Sequence, residues 1–143
     1  MRKMKKLVVF SLFVILAFPT TLFAYESPGK PVGFVNDFSG IFSVEEIAVL
    51  ETKLKEFERE TSVEISVVSV SSLGDETIET YAVKLFKEWG IGKAKADNGL
   101  LILISPNDRE VRIEVGYGLE GTITDLQSNT IIRSVIIPAF KNG

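Results

Sequence analysis

The sequence predicts an α/β fold, a three-layer α/β/α sandwich around a mixed central sheet. Three observations carry that prediction. Apolar residues recur at helical spacing behind capping signals, first after Ser43 and again after Thr124. Leu100 to Ile104 is an unbroken apolar run, too short for a helix, and reads as a strand buried on both faces. Just beyond it, Val111, Ile113 and Val115 alternate with Glu110, Arg112 and Glu114, the pattern of a half-exposed strand.

Before the domain comes a leader, Met1 to Ala24. Arg2, Lys3, Lys5 and Lys6 form a positive region, and Leu7 to Phe18 is an apolar stretch short for a membrane span. Pro19 breaks it, and Ala24 places a small residue at the cleavage position. The reading is a signal peptide over residues 1–24, with an uncleaved anchor as the alternative. Either way the domain is exported and works outside the cytoplasm, secreted or tethered to the outer side of the membrane. No Cys follows the apolar stretch, so a lipid-modified N-terminus is excluded.

Residues 25–33, with Ser27-Pro28-Gly29 and Pro31, read as a flexible lead-in, and residues 34–143 as the domain. Gly33 to Gly40 is a loop or short strand. Ser43 and Glu46 form a capping box for the first helix, Phe42 staples to Ile47, and Ile47, Leu50, Leu54 and Phe57 mark its buried stripe. Val63 to Val70 is β-branched and reads as a strand. Thr77 to Trp89 is a second helix ended by Gly90. The Val63 to Val70 strand and the buried run are joined by that helix, so they run parallel with a right-handed crossover. Pro106 to Arg109 is a tight turn, which makes the buried run and its neighbour an antiparallel hairpin. Thr124 and Gln127 cap a third helix, expected to bury Leu126, Ile131, Val135 and Ile136. The chain stops at Lys141-Asn142-Gly143 without an anchor, which reads as a fragment.

Composition narrows the chemistry. Four of the 16 Lys and Arg lie in the leader, which has no Asp or Glu, leaving 12 against 19 acids and a net charge of −7. Such a surface repels phosphate backbones and argues against a nucleic-acid partner, while it suits divalent cations or basic protein partners. The chain has no Cys and no His. That removes disulfides, a Ser-His-Asp triad and ordinary zinc sites. Gly116 to Gly121 matches G-x-G-x-x-G, yet it follows a hairpin strand and carries Glu120 inside the loop, so a tight glycine turn is the better reading than a dinucleotide site. Arg109 and Arg112 read as solvated, and Trp89 with Ile91 as packing at a helix end.

Hairpin geometry brings Asp97 beside Gly116, with Glu120 and Asp125 a few residues on. Asp37 precedes the first helix by six residues, enough extended chain to reach across roughly 20 Å. Singly, each acid has a local role: Asp125 favours a helix dipole and Asp37 closes a turn. Together, Asp37, Asp97, Glu120 and Asp125 form a candidate oxygen-only site for calcium or magnesium. No nucleophile or other catalytic residue can be named.

Val35-Asn36-Asp37-Phe38, Trp89-Gly90-Ile91-Gly92, Asp97-Asn98-Gly99-Leu100-Leu101, Arg112 to Gly121 and Ile137-Pro138-Ala139-Phe140 together resemble the TPM domain family. The resemblance implies an α/β/α sandwich and an extracytoplasmic domain, often tethered by a downstream membrane segment. Relatives are linked to photosystem repair and to membrane receptor complexes, and divalent metal binding and acid phosphatase activity are attributed to members. The family's acidic positions match Asp37, Asp97, Glu120 and Asp125. The expectation is therefore an extracytoplasmic divalent-cation-binding interaction module that assists a membrane-protein complex, with a weak metal-dependent acid phosphatase as the alternative. Membrane association would come through an uncleaved leader or a C-terminal anchor.

Overall fold

The computed structural model describes residues 25–142, so the expected signal peptide and its cleavage site lie outside the described residues. The fold is α/β, as the patterning implies. A four-stranded mixed sheet in the order β1-β2-β3-β4 is built from Val35–Asp37 (β1), Glu64–Ser69 (β2), Gly99–Ser105 (β3) and Glu110–Val115 (β4). Helices Val44–Thr61 (α1), Ile78–Trp89 (α2), Asp125–Ile131 (α3) and Ile137–Asn142 (α4) cover its two faces.

β1, β2 and β3 are parallel, with Asp37 opposite Ser69 and Ser69 opposite Ile104. β3 and β4 are antiparallel, with Leu100 opposite Val115 and Ser105 opposite Glu110. β3 is central, as expected of an apolar run. β1 is a strand of three residues that its own sequence, with Asn36 and Asp37 in it, barely signals.

Because side chains alternate along a strand, two cores form. Val68, Val70, Leu101 and Leu103 meet Ile78, Tyr81, Ala82 and Leu85 of α2 on one face. On the other, Val35, Val67 and Ile104 meet Ile47, Leu50 and Leu54 of α1, while Leu100 and Ile113 meet Ile132, Ile136 and Ile137. Val70 lies under α2 and donates its N–H to Ile104. For an L-residue this puts β3 to the right of β2 seen from α2, the expected right-handed crossover. The β1–α1–β2 connection steps the same way across the sheet with its helix on the opposite face, so its hand is the reverse.

Both capping boxes are present: Ser43 with Glu46, and Thr124 with Gln127. Gly90 ends α2 in the left-handed conformation, φ 61°. The third helix departs from expectation. Leu126, Ile131 and Val135 are exposed, Ile136 packs inward as expected, and the buried residues are Ser128 and Ile132. A π turn over Ile132–Ile136 joins α3 to α4 just before Pro138, whose ring nitrogen cannot supply the next helical hydrogen bond. That turn rotates the helix by about one residue. Phe57 also stays exposed, so the stripe of α1 ends at Leu54.

The lead-in is tied down. Tyr25 Oη and Ser27 Oγ each donate to the Glu88 carboxylate at 2.7 Å, and Trp89 Nε1 donates to the Gly29 carbonyl at 2.8 Å. Tyr25 stacks edge-on against Tyr81, and Tyr81 Oη reaches the Glu26 carbonyl at 3.0 Å. Among the described residues no helix is long and apolar enough to cross a membrane.

Candidate functional site

The four acids do not share one place. Asp37 ends β1 beside Ser69, at the C-terminal ends of the parallel strands, whereas Asp97 precedes the N-terminal end of β3. The length of β3, roughly 20 Å of extended chain, separates these ends. Asp37 therefore drops out of the expected cluster. Its loop folds back locally. Its carboxylate accepts the amides of Gly40, Ile41 and Phe42 at 2.9, 3.1 and 2.9 Å, and the Ser69 hydroxyl as well. Burial works to raise the Asp37 pKa, but the hydrogen bonds from Ser69, Phe42, Ile41 and Gly40 outweigh it and hold the acid below the usual carboxylate value. The group closes the turn that leads to α1, the local role open to it from sequence.

At the other end of the sheet, the hairpin does bring Asp97 against the glycine loop, through backbone. Gly118 donates its N–H to the Asp97 carbonyl at 2.9 Å, and Gly116 donates to the Gly99 carbonyl at 2.9 Å. A Cβ on Gly118 would collide with the Ala96 carbonyl oxygen, and one on Gly116 with that of Asp97. These glycines exist for close backbone approach, and their amides are spent inside the fold. Tyr117–Leu119 then forms a single 3₁₀ turn that carries the chain toward α3. Asp97 itself adopts φ 44°, a left-handed conformation Asp tolerates, and its side chain is exposed. Asn98 secures this loop, accepting from the Lys93 amide at 2.9 Å and donating to the Ser62 carbonyl.

Glu120 and Asp125 are brought together. Both line a cavity of about 400 Å³ with Arg112, Glu114, Val115, Ile123 and Thr124. Asp125 opens α3, where the helix N-terminus favours negative charge. Glu114 is the acid that sequence reasoning passed over, since on an alternating strand it looks like a solvated residue. The alternation did place it beside Arg112 on one face, and the structure half-buries both, their side chains 19% and 28% exposed, with Arg112 Nη2 3.2 Å from Glu114 Oε2. Arg112 is thus part of the cavity wall, not the solvated residue expected.

Glu114, Glu120 and Asp125 offer only oxygen, the donor chemistry that suits a hard cation such as calcium or magnesium. As they stand, among the described residues no three of His, Cys, Asp or Glu are gathered closely enough to hold a metal ion. Glu120 and Asp125 are exposed and free to turn, while Glu114 is held by Arg112.

A family model described as the TPM domain matches residues 35–143. The solution NMR structure of the N-terminal domain of a protein from P. gingivalis is 37% identical, with a TM-score of 0.71 over 77% of this chain and 70% of that one. The N-terminal domain of a Corynebacterium glutamicum protein is 19% identical, with a TM-score of 0.60 over 82% of this chain and 74% of that one, a likeness of fold. No curated protein matches the chain.

Proposed function

This chain belongs to the TPM domain family, and from that premise we propose that it is an extracytoplasmic binding module that takes a divalent cation and engages a membrane-protein or envelope partner. One observation carries the reading: three carboxylates, Glu114, Glu120 and Asp125, line a single cavity in which Arg112 is the one basic lining residue. A cation drawn between these acids would offset their negative charge. Glu120 and Asp125 would hold the ion, Glu114 would lie beside it, and Asp97 would bear on it through the loop that its carbonyl secures. The ion supplies positive charge that ties the loop after β4 to the start of α3. Calcium or magnesium suits an all-oxygen donor set.

Partner engagement has support close by. Tyr117 and Leu126, on either side of Glu120 in the chain, are 81% and 77% exposed and offer apolar surface to a partner. Extracytoplasmic placement rests on the leader. The phosphatase reading is the weaker one, because the Gly116 and Gly118 amides that would cradle a phosphate are already hydrogen-bonded within the fold.

Thermal melts of the chain in EDTA, then in millimolar calcium or magnesium, test the proposal, with a phosphomonoester assay on the same samples. A cation-dependent rise that Asp125→Asn abolishes supports it. An unchanged melt overturns the cation site, and cation-dependent hydrolysis would restore the phosphatase.

A further inference from the structure

β4 is an edge strand, and its open side lies in a groove. Gly116 donates directly to Gly99 across the hairpin, so the even-numbered residues of β4 turn their main-chain groups toward β3. Val111, Ile113 and Val115 turn theirs outward. Among the described residues no loop, cap or side-chain hydrogen bond reaches those three amides. Two cavities run along this edge. One, about 560 Å³, is lined by Ile78 of α2, by Glu110 and Val111, and by Ile132 and Ile137 from the opposite face. The other is the 400 Å³ cavity at Arg112, Glu114 and Ile123. Each draws residues from both faces of the sheet, the first beside the β3–β4 turn and the second at the opposite end of β4.

We propose that this edge pairs with the same edge of a second copy of the chain, antiparallel and centred on Ile113, to form a continuous eight-stranded sheet. The sequence of β4 is self-complementary in that register. Val111 meets Val115 of the second copy and Ile113 meets Ile113, so all three outward-facing residues fall at hydrogen-bonded positions. Arg112 then falls opposite Glu114, and Glu114 opposite Arg112, at the non-hydrogen-bonded positions where side chains approach most closely. The two-fold axis makes both ion pairs equivalent. A register shifted by one residue would set inward-facing main-chain groups against outward-facing ones.

The test is a charge exchange in EDTA, read by sedimentation velocity over a range of concentrations. Wild-type chain should reach the mass of a dimer as concentration rises. Arg112→Glu and Glu114→Arg should each weaken that dimer roughly tenfold, since each turns both cross-strand pairs repulsive. Mixing the two variants should restore a dimer, because the two acids of one variant then face the two bases of the other across the interface, although each chain's own pair stays like-charged. Amide hydrogen exchange on the wild type gives a reading that needs no variant: Val111, Ile113 and Val115 should gain protection with concentration, while Arg112 and Glu114 are protected throughout. A wild type that stays monomeric, a mixture that does not recombine, or edge amides equally exchangeable at all concentrations would each overturn the proposal.

Discussion

The Ser69 hydroxyl donates to the Asp37 carboxylate across the β1–β2 pair, and the same carboxylate gathers the amides of Gly40, Ile41 and Phe42. One side chain thus closes the turn between β1 and α1. Asp37→Ala should cost about 2 kcal/mol in denaturant unfolding, the scale of a charged acceptor lost from donors that keep no partner. Because the folded pKa is lowered, the contribution is complete above about pH 4 and is lost as pH falls through the folded value. The wild-type melt should therefore drop in that acid window, and the variant's should drop less. Calcium response should survive the substitution, since Asp37 stands at the far end of the sheet.

Gly118 and Gly121 belong to one motif yet differ in surroundings. A Cβ at Gly118 meets the Ala96 carbonyl, whereas at Gly121 it meets open space. Gly118→Ala should destabilise by about 2–3 kcal/mol through backbone overpacking, and Gly121→Ala should stay within about 0.5 kcal/mol. Equal losses would refute packing as the reason for the glycines.

Helix caps give a calibrated pair. Ser43→Ala and Thr124→Ala each remove the side-chain acceptor of a complete capping box and should each cost about 1 kcal/mol. Chemical denaturation reads both. A silent Thr124→Ala would mean that α3 is held in place by the packing of Ile132, just beyond it, on Ile113 and Leu100.

For the cation, linkage sets the scale. At a concentration a hundred times the dissociation constant the stabilisation is about 2.7 kcal/mol. Glu120→Gln or Asp125→Asn should remove most of it; in EDTA Glu120→Gln should leave the melt intact, while Asp125→Asn should cost about 0.3–1 kcal/mol as α3 loses a favourable charge. Asp75→Asn, in the loop between β2 and α2, serves as the control that should change nothing.

Tyr81 responds at the alkaline end. Burial, then the charges of Glu88 and Glu26, push its hydroxyl up to about 12. Its contribution is complete below the ordinary tyrosine value, about 10, and is lost as pH rises toward 12. Melting temperature should fall across that window, and Tyr81→Phe should flatten part of the fall.

Local signals made much of the fold legible. Capping boxes, the αL glycine after α2, the buried run and the alternating strand are each set by a few neighbouring residues. Less local features were hidden. β1 is strand because Val35 pairs with Val67, not because Val-Asn-Asp favours extension. Past Ile132 the apolar line passes to both Ile136 and Ile137 because a π turn just before Pro138 shifts the helical register, which a regular helical period cannot anticipate. Tyr25 and Ser27 looked like linker until Glu88 received both.

By itself, the sequence determined an α/β domain with a central apolar strand, a hairpin bringing Asp97 to the glycine loop, and the absence of imidazole and thiol chemistry. Each of these depends on short-range periodicity, turn chemistry or composition. Only the tertiary structure decided which acids meet. Strand register sent Asp37 to one end of the sheet and left Glu114, Glu120 and Asp125 around one cavity at the β4 edge. The physical reason is that side-chain proximity across a sheet is fixed by pairing between distant segments, where a parallel strand puts its start and its end a full strand length apart.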